Sequence, residues 1–171
     1  MRVACIQLSS GENYKKNCDD IIKLIFKAIK QKADFIVTPE ASSMMTIDKK
    51  KLLKFSFKMH EDPLLKNLKE ISQIHKKWIL IGSLSIKVGK KLRNRSILIG
   101  PNGKIETFYD KINMFDVIIS RKEQHKESKI YTAGKKLVST KLPWGNLGLT
   151  ICYDLRFPEI YRKLSKKNIH F

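Results

Sequence analysis

Two short apolar, β-rich runs, RVACIQLS (2–9) and ADFIVTPE (33–40), flank a helical pattern that extends from Glu12 to Lys32. Within it Tyr14, Cys18, Ile21, Ile22, Ile25, Ala28 and Ile29 fall on one stripe, and lysines occupy the other face. Strand, helix and strand in succession constrain the chain to α/β layering more strongly than any other feature. Pro39 stops the second run because proline cannot donate to a ladder. Cys5 in the first run and Cys18 in the stripe both read as core residues.

The remaining pattern fits that class. Residues 48–58 are expected to form a short helix. Pro63–Lys77 should form a longer one, with Leu64, Leu65, Leu68, Ile71 and Ile74 on its apolar side. WILIGSLSIKV (78–88) and RNRSILIG (93–100) read as neighbouring strands joined around Gly89, and PNGK (101–104) as a hairpin turn into IETFY. KLVSTKLP and GNLGLTI read as two further strands. FPEIYRKLSKK (157–167) opens a helix, with Pro158 well placed in its first turn. With no repeat and no Gly-, Ser- or Pro-rich linker, 1–171 reads as a single α/β domain. Its chemistry is expected at strand ends and in the loops that follow them.

Charge narrows the function classes. The net charge of +19 would suit phosphate binding. However, 29 of the 35 basic residues are lysines spread along the whole length, and only six are arginines, whose fork suits base and phosphate recognition. A lysine-rich solvated surface explains the charge better than a nucleic-acid partner does. Three cysteines without a CxxC pair suggest neither a disulfide framework nor a zinc site. MRVACIQLSS lacks the apolar core of a signal peptide, and IIKLIF and WILIGSLSI are too short or interrupted to span a bilayer. No membrane partner is expected, and a reducing, cytoplasmic setting follows by elimination.

Three ionisable groups of different kinds lie at strand ends. Glu40 follows FIVTP, Lys111 follows IETFYD, and Cys152 follows LGLTI and enters the polar turn YDLRFPE. A carboxylate can take a thiol proton, an ammonium can stabilise an oxyanion, and a thiolate is a nucleophile. Singly, each also fits a solvated loop glutamate, a surface lysine and a core cysteine, so the residue types alone leave both readings open.

The local sequences resemble the nitrilase, or carbon–nitrogen hydrolase, superfamily. TPE holds Glu40, YDKINMFDV holds Lys111 and GLTICYDLRFPE holds Cys152, and the stretches RVACIQLSS, ADFIVTPE and NRSILIGPNGKI are also similar to that family. Within it, CYDLRFPE and KINMFDV look most like the Nit branch of omega-amidases and deaminated-glutathione amidases. The resemblance implies an α-β-β-α sandwich with Glu40 as general base, Lys111 stabilising the oxyanion and Cys152 as nucleophile. The Tyr153 N–H would complete the oxyanion site. A second glutamate would hold Lys111. Glu127, in KEQHKESKIYTAGK, matches it, with Glu123 four residues away as the alternative. Arg156 and Glu159 would support the nucleophile turn. The implied reaction is hydrolysis of a small-molecule linear amide through a thioester, with no metal or organic cofactor. Homo-oligomers are expected for the complete fold.

Two departures stand out. Where the family has His after Lys-Ile, this chain has Asn113, which keeps a donor and an acceptor but cannot titrate. Family members also continue well past the cysteine motif, whereas this chain stops at KNIHF, so the C-terminal part of the fold is expected to be absent. The alternative to an amidase is therefore an inactive remnant that serves at most as a binding surface.

Overall fold

A computed structural model describes residues 1–118, 120 and 123–171. The elements run β1 (Val3–Cys5), α1 (Tyr14–Lys30), β2 (Phe35–Val37), α2 (Lys49–Lys54), α3 (Pro63–His75), β3 (Trp78–Val88), β4 (Lys91–Ile99) and β5 (Ile105–Asp110). Then come β6 (Asp116–Ile118), β7 (Gln124–Lys126), a 3-10 turn at Glu127–Lys129, β8 (Val138–Leu142), β9 (Gly145–Leu149), a 3-10 turn at Cys152–Arg156 and α4 (Pro158–Ser165).

Local chemistry sets the helix starts. The Asn13 side chain accepts the Lys16 N–H at 3.0 Å, and Asp62 accepts the Leu65 N–H at 2.8 Å just before Pro63. Both satisfy donors that a first helical turn leaves unpaired.

The main sheet has the order β1-β2-β3-β4-β5. β1, β2 and β3 pair in parallel, and β3, β4 and β5 antiparallel. Alternation along the strands sorts side chains to two faces. Ile36, Ile79, Ile81, Ile97 and Ile99 meet Ile21 and Ile25 of α1 and Leu64, Leu65 and Leu68 of α3. On the opposite face Phe35, Leu98 and Tyr109 pack against Leu142, Leu147 and Leu149 of the antiparallel β8–β9 hairpin. Helix α4 covers the hairpin, with Leu164 against Gly148. The layers are thus helix, sheet, sheet, helix. Beyond α4 the chain returns beside β9 in a parallel bridge from Ile169 to Asn146.

Two core assignments are corrected. Cys5 is exposed. β1 is an edge strand, and the hairpin that covers Phe35 does not extend over Val3 and Cys5, whereas Ala4 on the other face joins the helical core. Ile74 is 72% exposed. Ser72 takes the core position instead, with its hydroxyl within 2.6 Å of the Gly100 carbonyl. The first strand is also shorter than 2–9. Strands β6 and β7 lie where the sequence raised no expectation, because QHK carries no apolar alternation.

Candidate active site

Glu40 sits in a turn fixed from beneath by β3. The Ser83 hydroxyl accepts the Ala41 N–H at 2.8 Å, and the Ser83 N–H donates to the Pro39 carbonyl at 3.2 Å. A Cβ at Gly82 would collide with the backbone of Thr38 and Pro39, so only glycine lets this turn lie so close to the strand. Ala41 adopts a left-handed φ of 51°, which swings the chain away directly after the glutamate.

Lys111 follows β5 and is 2% exposed. Its N–H donates to the Asn94 carbonyl at 3.0 Å, and its carbonyl accepts the Gly134 N–H at 2.7 Å. This backbone anchoring aims the ammonium between two carboxylates, Glu40 Oε1 at 3.1 Å and Glu127 Oε2 at 2.9 Å. Asn94 Nδ2 bridges the same pair, donating to Glu40 Oε1 at 2.7 Å and to Glu127 Oε1 at 3.1 Å. Glu127 Oε2 also accepts the Phe115 N–H at 2.7 Å. Glu123 is well exposed and pairs with His125 at 3.6 Å, so the glutamate touching Lys111 is Glu127.

Cys152 opens the 3-10 turn after β9 with φ of 45°, a left-handed conformation that costs a non-glycine residue about 1–2 kcal/mol. Among the described residues nothing accepts the N–H groups of Cys152 and Tyr153, which leaves two free donors beside the thiol. The Tyr153 ring makes edge contacts with Phe115 at 5.0 Å and Phe157 at 5.4 Å, forming an aromatic wall on this side.

Asp154, fully buried, holds the turn. Oδ2 accepts the Ile151 N–H at 3.0 Å and the Tyr109 hydroxyl at 2.7 Å. Oδ1 accepts both the backbone N–H and the Nδ2 of Asn113, each at 2.9 Å. One carboxylate therefore links the lysine loop to the cysteine turn, and the asparagine amide acts as the donor on the lysine side. Arg156 and Glu159 are exposed and make no side-chain hydrogen bond or ion pair among the described residues. The support assigned to them falls to Asp154, which sequence reasoning passed over together with Asn94. Both left a signal: Asn is a poor strand former in the middle of β4, and Asp154 lies two residues from the thiol.

Two carboxylates and one ammonium give the site a net negative charge before the thiol ionises. Cys152 is exposed, yet partial desolvation of its thiol raises the pKa, the Glu40 carboxylate raises it further, and Lys111 opposes them. Burial pulls the Lys111 pKa down, but the hydrogen bonds and charges of Glu127 and Glu40 outweigh it, and the net shift is upward. The resting arrangement is a protonated thiol near a carboxylate that also holds the Lys111 ammonium. Such a set can transfer the thiol proton as a bond to carbon forms, and can stabilise a developing oxyanion. Among the described residues no cluster of His, Cys, Asp and Glu is arranged to hold a metal ion.

The profile of the family described as Carbon-nitrogen hydrolase matches residues 2–171. The chain belongs to the carbon–nitrogen hydrolase family. Among its relatives, a deaminated glutathione amidase of Yersinia enterocolitica is 32% identical over 95% of this chain and 57% of its own length. A chloroplastic omega-amidase of Arabidopsis thaliana is 29% identical over 98% of this chain and 46% of its own. The crystal structure of the C. elegans NitFhit protein superposes with a TM-score of 0.84 at 28% identity, covering 92% of this chain and 39% of that one. The fold is the nitrilase-like α/β sandwich of this carbon–nitrogen hydrolase family. The chain spans about half to three-fifths of the length of these two amidases. Among its described residues no helix is long and apolar enough to cross a membrane.

Proposed function

We propose that this chain carries the catalytic centre of an amidase that hydrolyses a linear amide of a small carboxylic acid and releases ammonia through a Cys152 thioester. One observation supports the reading: a buried ammonium, Lys111, held at 3.1 and 2.9 Å by Glu40 and Glu127, with the Glu40 carboxylate near enough to the Cys152 thiol to raise its pKa. In the first step sulfur attacks the amide carbonyl as Glu40 takes the thiol proton. The oxyanion is stabilised by the Lys111 ammonium and the Tyr153 N–H. Collapse of the intermediate breaks the C–N bond, and the proton returns from Glu40 to the leaving nitrogen, giving ammonia. Glu40 then takes a proton from water as it attacks the thioester, and returns it to the sulfur as the carboxylic acid leaves. Glu127 keeps Lys111 charged and in place. No cofactor enters the scheme. The small-molecule substrate, a single domain over 1–171, a homo-oligomeric complete protein and a cytoplasmic setting that keeps Cys5, Cys18 and Cys152 reduced belong to the same proposal.

A second reading is favoured by the uncovered β1 side of the inner sheet face, where Val3 is 43% exposed and Cys5 is open. It holds that these 171 residues are catalytically incomplete by themselves and act at most as a binding surface. Ammonia release from short ω-amido acids such as succinamate separates the two. Under the amidase reading, Glu40→Gln, Lys111→Ala and Cys152→Ala each lower turnover about a hundredfold or more. Normal turnover by Cys152→Ala would sink the mechanism. A folded protein that alkylates at Cys152 yet releases no ammonia would favour the second reading.

A further inference from the structure

A cavity of about 400 Å³ opens between α2, the β3–β4 turn and the segment after Glu127. Four lysines line it (Lys49, Lys90, Lys91 and Lys129), and no acidic residue does. None of the four takes part in an ion pair among the described residues, although neighbouring Lys51 is paired with Glu12 at 2.6 Å. The walls are built. Leu92 is 1% exposed, clusters with Leu52 and Met44, and bridges to Tyr131, while the Thr132 N–H donates to the Leu92 carbonyl at 2.9 Å. All four are exposed, and like charges gathered around one concavity give it a positive potential that favours an anion. The volume lies in the range of small-ligand pockets, and the buried Leu92 anchors one side of it.

We propose that this cavity is a binding site for a small anion carrying two or more phosphate or carboxylate groups. It is separate from the thiol site but joined to it through one segment. Glu127 holds Lys111 at 2.9 Å, and Ser128–Thr132, next in the chain, form a wall of the cavity. Tyr131 reaches from that wall to Ser85, with 2.6 Å between the hydroxyls. Occupancy is therefore placed to bear on the position of Glu127.

The test is calorimetric titration with two probes, pyrophosphate and citrate, at constant ionic strength near physiological. Saturable 1:1 binding of at least one probe with Kd below about 1 mM is expected. It should weaken about tenfold or more in the triple variant Lys90→Ala, Lys91→Ala, Lys129→Ala. The control, Lys23→Ala, Lys27→Ala, Lys30→Ala on the exposed face of α1, removes the same charge and should bind as the parent does. A preference for pyrophosphate marks a phosphate site, and one for citrate a carboxylate site. Equal weakening in both variants, or no saturation by either probe at about 10 mM, would overturn the proposal.

Discussion

Asn94 and Lys111 are joined twice. The Asn94 carbonyl accepts the Lys111 N–H at 3.0 Å, and the side chains of both donate to the same oxygen, Glu40 Oε1. The asparagine thus places the lysine backbone and shares the carboxylate that the lysine serves. Replacing it removes a bridge between Glu40 and Glu127. Asn94→Ala should cost about 1–3 kcal/mol of stability in urea unfolding. Asn94→Asp, which sets a third carboxylate against the other two, should cost more. An Asp variant as stable as the parent would contradict the bridging role.

The protonated resting thiol has its own signature. Glu40 raises the Cys152 pKa by charge and by hydrogen bonding, so Glu40→Gln should lower it. In a Cys5→Ser background, the pH profile of iodoacetamide alkylation at Cys152 should shift to lower pH in the Gln variant. An unchanged profile, or one shifted upward, would show that Glu40 does not act on the thiol.

Asp154 satisfies four donors from three segments. Asp154→Ala leaves all four without this acceptor, two of them buried and two part-buried, so a loss of at least ~3 kcal/mol is expected. Asp154→Asn, which keeps the shape but presents an N–H to at least one donor, should fall in between. Chemical denaturation measures both, and a loss under ~1 kcal/mol for the alanine variant would remove Asp154 from the turn's support.

The two cysteines outside the site should behave oppositely. Cys5, on the open edge strand, should alkylate readily in the folded protein, and half-buried Cys18 should not. Burial pushes the Cys18 thiol up to about 11, against 9.0 for an ordinary thiol. The unfolded chain therefore loses this proton first, and the stability that Cys18 contributes, complete below pH 9.0, disappears as pH rises through 11. Thermal unfolding from pH 8 to 11 should show a steeper fall in Tm for the parent than for Cys18→Ala. Parallel slopes would exclude the thiol as the cause.

The helices were legible because their information is local. The stripe from Tyr14 to Ile29 and the Asp62–Pro63 start need only the 3.6-residue period and a cap. Glu40, Lys111 and Cys152 were singled out for another reason: the stretches around them resemble those of the carbon–nitrogen hydrolase family, whereas the residue types alone left both readings open. Asn94 was not, because its role depends on register. It comes between Glu40 and Glu127 only once β4 lies between β3 and β5. Cys5 was misjudged on similar grounds. A β-rich apolar run says that a strand is wanted, but the depth of burial depends on which neighbours reach the edge of the sheet. The Arg156 and Glu159 assignment followed the resemblance to the family's motif, whereas the contacts that hold the turn come from the carboxylate beneath it.

The left-handed backbone of Cys152 sets the thiol in competition with the fold that carries it. Every side chain at this position bears the torsional penalty, and only glycine escapes it. Cys152→Gly should therefore be more stable than Cys152→Ala, because the strain relieved, ~1–2 kcal/mol, exceeds the freedom that glycine adds to the unfolded chain, ~0.4–1 kcal/mol. Drift toward stability alone would therefore favour glycine at this position and remove the thiol that the proposed mechanism needs.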